Sequence, residues 1–444
     1  MSDTLTSNSI DDFRSRGVVQ WLKYARAKFG GEALFVAATM SQPVVNLVSA
    51  FVAAKSLTPF ELGTINAAAL FPAYLGFLQL GVFTGLSRNL PIAIGAGDSD
   101  HADRLERVSA AVATYVGALA GAICLTVAML ALWRGDNLFF WAMSCIALTS
   151  ALGPPTTHVD TVLRARLQFG PAAWSQITSN LFMLVANVVV TVYGVIGSLW
   201  RIATGGLFAL LARLQFHSWR PTRINDWRSI VDLGRIGMPL LLSGTLFSIL
   251  NVADRSAVAL LLGNESLGYF SLAGMIVNSL QFIPQAFAMI LFPLMAQEFG
   301  RTQSPRSLHR FIILNLALNV ATIIPVCLAL YLSLDWLVTT HVPAYEPGLP
   351  AARVACLTGT LWIYLGVGSV FGVMNKMKGY LIVMSLAIAL VWIGSVIAIR
   401  LGFGIVGAAY ARLAGTFVVS AFTICHAFVL VHRAPSNDQK LNQA

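Results

Sequence analysis

Apolar runs of roughly twenty residues, each closed by a short polar break, recur along this chain from Gly31 to Val431. A helix needs about that length to cross the hydrocarbon core of a bilayer. The pattern predicts twelve spans, at 31–54, 64–87, 108–131, 138–157, 172–192, 195–215, 237–262, 267–292, 309–333, 351–374, 380–400 and 404–431. The fourth is expected to project past the membrane toward Leu163. The breaks are brief. The longest outer one, 335–352, holds Pro343, Pro347 and Pro350 and has room for a small cap only. The largest inner one, 217–236, divides the chain near its middle. The expected organisation is a tail (1–30), a six-helix lobe (31–216), a linker (217–236), a second six-helix lobe (237–431) and a tail (432–444).

Composition narrows the class. Of 444 residues, 57% are hydrophobic and 11% charged, and the mean hydropathy is +0.73. A soluble domain carries nearer 25% charge, so this is an all-α polytopic membrane protein. Residues 1–30 are polar and basic (Arg14, Arg16, Lys23, Arg26, Lys28), without the short apolar core of a cleavable signal. Residues 13–29 place Val18, Val19, Trp21, Leu22 and Phe29 near helical spacing. That suits a basic amphipathic helix on the inner surface, or a solvated tail that fixes orientation. The five cysteines stand singly in apolar runs, so neither a disulfide framework nor a metal site is expected.

Charge sets orientation. With the N-terminus inside, 22 of the 29 Lys and Arg fall in inner segments and four (Lys55, Arg134, Arg353, Arg400) in outer ones. Basic residues favour the cytoplasmic side, so both termini are expected there. The net charge of +10 follows from this topology and from attraction to anionic lipid. The basic residues are spread over many loops, which argues against a nucleic-acid partner.

The two halves resemble each other. Leu62-Gly63 and Leu267-Gly268 open corresponding spans at an offset of 205. GVIGSLWRIATG (Gly194 to Gly205) aligns with GIVGAAYARLAG (Gly404 to Gly415) at an offset of 210. Six spans per half preserve orientation. The lobes should therefore be related by a pseudo-two-fold axis along the membrane normal, with a site between them.

Three cations remain inside spans: Arg201, Arg255 and Arg412. Each lies seven or eight residues from an outer end, so about 10 to 12 Å deep at ~1.5 Å per residue. A charge there costs from ~2.5 to more than 10 kcal/mol unless it faces protein or a wet cavity. Asp254 is the single mid-span carboxylate. The excess of cations suits an anionic ligand, and guanidinium suits phosphate because it binds bidentately. The structural alternative is that Asp254 neutralises one arginine while another snorkels outward. Asp254 and Arg255 point roughly 100° apart on a helix, so they do not simply cancel. Arg88, closing the second span, either grips phosphate from the inner leaflet or anchors the span. His158, Asp160 and Glu298 lie near inner ends, where pairing with Arg164, Arg166 or Arg301 is expected. Amides such as Gln42, Asn46, Asn187, Asn251, Gln281 and Asn315 are expected as interhelical contacts or as the lining of a wet path. Pro43 and Pro284 are candidate hinges. No catalytic or nucleotide motif is present, so neither an enzyme nor a cofactor is expected.

Two segments carry a family likeness: LTPFELGTINAAALFPAYLGFLQLGVFTGLSRNLPIAIGAGD, and DRSAVALLLGNESLGYFSLAGMIVNSLQFIPQAFAMILFPLMAQEFGR. They resemble the polysaccharide flippases (O-antigen and exopolysaccharide) of the multidrug/oligosaccharidyl-lipid/polysaccharide (MOP) exporter superfamily. The resemblance implies a two-lobe transporter that moves an undecaprenyl-diphosphate-linked oligosaccharide across a bacterial inner membrane by ion-coupled alternating access. It implies cationic residues for the diphosphate at Arg255 and at Arg88, Arg201 and Arg412, and coupling to a proton or Na⁺ at Asp254. Implied partners are the lipid-linked oligosaccharide, membrane lipids, a polysaccharide polymerase and other assembly proteins. The span count fits less well with the fourteen-helix lipid II flippases. Two other readings remain: a drug/cation antiporter of the same superfamily, which needs several mid-span carboxylates, and a polysaccharide polymerase or lipid glycosyltransferase, which needs a long outer loop.

Overall fold

A computed structural model describes residues 18–219, 226–302, 304–374 and 376–432. Residues 1–17 and 433–444, where most of the tails fall, lie outside them. Among the described residues all regular structure is helical. The helices are α1 (Val18–Ser56), α2 (Pro59–Ala69), α3 (Phe71–Leu75), α4 (Val82–Gly95), α5 (Ser99–Trp133), α6 (Asn137–Ala165) and α7 (Phe169–Leu214) in the first half. The second half holds α8 (Trp227–Leu250), α9 (Ala253–Thr302), α10 (His309–His341), α11 (Leu349–Thr360), α12 (Ser369–Val373), α13 (Lys378–Ala398) and α14 (Gly404–His432). From Val18, the first described residue, α1 runs unbroken through the first expected span.

Eight stretches are long and apolar enough to cross a membrane, or nine if the bent pair Pro59–Gln79 and Val82–Gly95 is one span. The expected twelve are reached only if the glycine breaks inside three of these stretches are taken as reversals. Gly194 sits inside α7 with φ 54°, Gly263 inside α9 with φ 81°, and Gly402 and Gly404 lie between α13 and α14 with φ 89° and 55°. Glycine enters this region without the Cβ clash that other residues pay for. Helix starts are set by side chains. Thr58 and Glu61 form a reciprocal capping box at α2, and Asp98 and Asp136 cap α5 and α6. Asp226 caps α8, and hydrogen bonds from Ser229 hold its carboxyl below the usual range.

Two expected spans are broken in mid-membrane. The second, expected as a continuous 64–87, is interrupted where Leu80 (φ 48°) and Gly81 (φ 77°) leave the helix, and its halves bend by 50°. The seventh stops at Leu250 and restarts at Ala253. Asp254 and Arg255 therefore stand in the first turn of α9 rather than inside one uninterrupted helix.

Backbone contacts join the halves in two places. In the first, a Cβ on Gly63 would lie 1.7 Å from the Asn264 carbonyl oxygen, and one on Gly268 would lie 1.8 Å from that of Pro59. The contact is reciprocal at an offset of 205 residues, the offset of the Leu-Gly repeat. Leu57, Leu62 and Ile65 pack there with Leu272, Val338 and Tyr345, and the Tyr345 hydroxyl donates to the Leu57 carbonyl at 2.9 Å. In the second, α4 meets α8. A Cβ on Gly85 would lie 2.1 Å from the Leu233 oxygen, and one on Gly237 2.0 Å from the Gly81 oxygen. Small residues permit such approach, which is how helices associate where lipid removes the hydrophobic drive between them.

Candidate functional site

A chamber of about 800 Å³ lies between the halves. Pro43, Asn46, Ser49, Asn66 and Arg201 line it from the first half, and Asn251, Arg255, Ser271, Asn278 and Gln281 from the second. Leu62, Ile65 and Leu267 line it beside the Gly63–Gly268 crossing. The wall is largely apolar. No Asp or Glu lines it among the described residues.

Arg255 has a seat made by the absence of a side chain. A Cβ on Gly274 would lie 2.4 Å from its Nη2, so the guanidinium rests on a glycine. Among the described residues it makes no hydrogen bond and no ion pair. Its sequence neighbour Asp254 forms its ion pair with Arg412 instead, and acts on Arg255 through charge without a bond. Each guanidinium carries five N–H donors. Those of Arg255 face a chamber and a void, which both include it in their lining.

Arg201 also lines the chamber, yet it is largely buried and engaged. Nη1 donates to Asn187 Oδ1 at 2.5 Å and to the Ser49 carbonyl at 3.3 Å. Arg412 is held by a parallel device. Nη1 donates to the carbonyl of Leu250, the last residue before the α8–α9 break, and Nη2 to Asn251 Oδ1 at 2.5 Å. Asp254 stands 3.6 Å from Nη1, and Arg412 lies over the Trp362 ring at 5.7 Å. Arg412 and Asp254 are both buried and do not line the chamber; they border a void of about 10 Å³ behind it. The expected neutralisation of one arginine by Asp254 therefore falls on Arg412.

The structure thus brings Arg255 and Arg201 to the chamber and sets Arg412 and Asp254 behind the wall of the second half. Arg88 stands apart: it is exposed on α4 and lines none of these spaces. Pro43 lines the chamber, and α1 runs through it without a break. Two expected pairings are corrected. Asp160 takes Arg213, at 2.7 Å, rather than Arg164 or Arg166. His158 is buried against Ser109, with Nδ1 and Oγ 2.9 Å apart. Arg166 binds Glu106 and Asp103 instead. Glu298 does pair with Arg301, and also with Arg310.

The Arg213 network is absent from the sequence reading. Nη2 donates to Gln176 Oε1, Gln176 to Gln42, and Gln42 to Asn46 on the chamber wall. Asn180 adds a bond to Ser41 at 2.8 Å. Arg213 counts as an ordinary inner-loop cation in the charge pattern, and no spacing rule links it to residues 53 and 37 positions away. Among the described residues no three His, Cys, Asp or Glu are grouped to hold a metal ion.

A family profile described as "Polysaccharide biosynthesis protein" matches residues 33–342. The chain belongs to this polysaccharide biosynthesis family, and its fold is similar to those of solved MOP superfamily transporters. An inward-facing multidrug resistance MATE family transporter is similar in fold, with a TM-score of 0.72 at 15% identity, over 90% of this chain and 98% of that one. The lipid II flippase MurJ, in an inward closed conformation, gives 0.66 at 14% identity, over 89% and 87%. A MOP superfamily transporter from Pyrococcus furiosus, whose description stresses a reversed polarity of the binding pocket, gives 0.62 at 15% identity, over 90% and 94%. No curated sequence matches this chain.

Proposed function

We propose that this transporter flips an undecaprenyl-diphosphate-linked oligosaccharide from the inner to the outer leaflet of a bacterial inner membrane. One observation supports this above the others. Arg255 presents a guanidinium without hydrogen bond or ion pair, among the described residues, to a chamber that has no carboxylate in its described lining. An unpaired cation so placed is retained at a cost of several kcal/mol, which a diphosphate offsets through charge-assisted, bidentate hydrogen bonds. Arg201 adds positive potential from the opposite wall. The chamber amides suit sugar hydroxyls. The same lining argues against a cation antiporter, which needs free carboxylates facing its substrate.

Orientation comes from the basic inner segments and puts both termini in the cytoplasm. Energy comes from an ion gradient. Asp254 is the coupling group, because it is the buried carboxylate beside Arg412 and next to Arg255. The partners are the lipid-linked substrate, membrane lipids, and the polymerase and assembly proteins that receive the flipped product. Replacing Arg255 by Ala tests the reading. Surface glycan is expected to be lost while the protein inserts normally, and normal glycan at native expression refutes the role.

A further inference from the structure

The two halves treat their buried polar groups differently. Ten buried side-chain atoms lack a hydrogen-bond partner among the described residues, and nine of them belong to the second half. In the first half the polar side chains satisfy one another: Arg213 with Asp160 and Gln176, Asn180 with Ser41, Asn187 with Ser49 and Arg201. Buried polar groups are paired in the great majority of cases, so each exception calls for a partner.

Six of these nine atoms lie on α14, on the turn facing it, or on Asp254 beside Arg412. Arg412, Thr416, Ser420 and Thr423 follow at helical spacing on α14, and all four are buried. Elsewhere in this chain helical threonines bond the carbonyl four residues back, as Thr64, Thr161 and Thr358 do. Thr416 and Thr423 do not, so their hydroxyls are free for another partner. Facing them, the 3₁₀ turn Leu361–Tyr364 between α11 and α12 carries Trp362 and Tyr364, both fully buried, with Nε1 and Oη unpaired. The two rings stack at 5.9 Å, and Arg412 lies over Trp362. Further in, the Cβ position of Gly368 approaches the Thr423 methyl and the Tyr380 ring at 3.9 Å each. Beyond them His426 stacks on Phe371 at 5.4 Å, near the inner end of α14. At the other end the void of about 10 Å³ beside Asp254 also touches Asn251 and Arg255, which line the chamber. A space near 10 to 15 Å³ holds one water.

The chemistry selects the occupant. Arg412 Nε and Trp362 Nε1 only donate, while Asp254 Oδ1 only accepts. A metal cation cannot use the donors and meets two guanidiniums near Asp254. A small anion cannot serve the carboxylate. Water satisfies both kinds and the hydroxyls between them.

We infer that the interior of the second lobe is hydrated, and that a file of waters runs from Asp254 past Trp362, Tyr364, Thr416 and Thr423 to His426, conducting protons between mid-membrane and the cytoplasmic face. A proton leaving the Asp254 carboxyl passes to the first water, and an equivalent proton leaves the last water at the inner end, so no charge builds up along the file. The proton role rests on the assignment of coupling to Asp254; the hydration does not.

Hydroxyl-radical footprinting of the full-length protein in lipid nanodiscs separates the two. Tyr345 and Tyr364 are both fully buried, but Tyr345 donates to the Leu57 carbonyl and Tyr364 is unpaired. Rapid labelling with oxygen from the solvent is expected at Tyr364 and Trp362 and not at Tyr345. Labelling of Tyr364 at the Tyr345 level overturns the inference without any variant. With Thr416→Val and Thr423→Val together, Tyr364 labelling and substrate-coupled proton movement in proteoliposomes are expected to fall several-fold, and Thr416→Ser with Thr423→Ser to preserve both. Wild-type proton coupling in the valine variant overturns the conducting role. Labelled Tyr364 together with full proton coupling in Asp254→Asn overturns that role and the Asp254 assignment, while the hydration stands.

Discussion

Arg201, Arg255 and Arg412 have the same side chain at similar depth, and their surroundings assign them different tasks. Arg412 has a carboxylate, an amide and a carbonyl as partners, and Arg255 has none of these. Removing one member of a buried charged pair strands the other, at a cost of about 3 to 5 kcal/mol. Arg412→Ala is therefore expected to lower the unfolding midpoint sharply, and Asp254→Asn combined with Arg412→Leu to recover much of the loss. Arg255→Ala leaves no partner behind and is expected to keep wild-type stability while abolishing transport. Thermal unfolding in detergent alongside surface-glycan staining tests both. Arg255→Lys is expected to rescue partly, because an ammonium cannot reproduce the bidentate fork; full rescue would show that charge alone suffices. At this scale the sequence placed Arg201, Arg255, Arg412 and Asp254 inside apolar spans and Arg88 at the end of one. It could not sort them, because the sorting depends on Asn187, Asn251 and Gly274, which lie on other turns or other helices.

At the scale of elements, glycines decide where helices turn and where they touch. Gly63 and Gly268 bring α2 and α9 into backbone contact over the chamber. A valine at either position cannot be seated without separating the helices. Gly63→Val and Gly268→Val are each expected to increase labelling, by a membrane-impermeant thiol reagent from outside, of a cysteine placed at Asn66 in a background cleared of native cysteines. Unchanged labelling would mean that the crossing is not the outer seal. The Leu-Gly repeat was visible in the sequence because glycine at both contact points keeps the same offset. Gly194 and Gly404 likewise align and share a positive φ of 54° and 55°. The breaks at Leu80 and Asn251 were not visible. Leucine carries no turn signal, and an asparagine in an apolar run predicts an interhelical bond equally well.

Across the whole molecule, the two halves of the chain handle buried polarity differently. The first is internally cross-linked by the Asp160–Arg213–Gln176 network. The second keeps donors and acceptors open around Asp254. Ion coupling is accordingly expected to survive Gln176→Leu, with lower stability, and to be lost in Asp254→Asn. Proton movement in proteoliposomes checks this. Cells lacking the protein are expected to trap lipid-linked oligosaccharide on the cytoplasmic leaflet. The all-helical, apolar character and the paired Leu-Gly positions could be read from hydropathy and spacing, which lie along the chain. The lobe asymmetry could not, because it depends on which hydroxyls and amides meet across helices.

The central claim is that Arg255 receives a diphosphate. Native mass spectrometry of the intact protein titrated with undecaprenyl diphosphate measures this directly. A charge-assisted hydrogen bond contributes about 1.5 to 3 kcal/mol, so Arg255→Ala is expected to weaken binding about tenfold or more, with Arg255→Lys in between. Equal affinity in wild type and Arg255→Ala would contradict it.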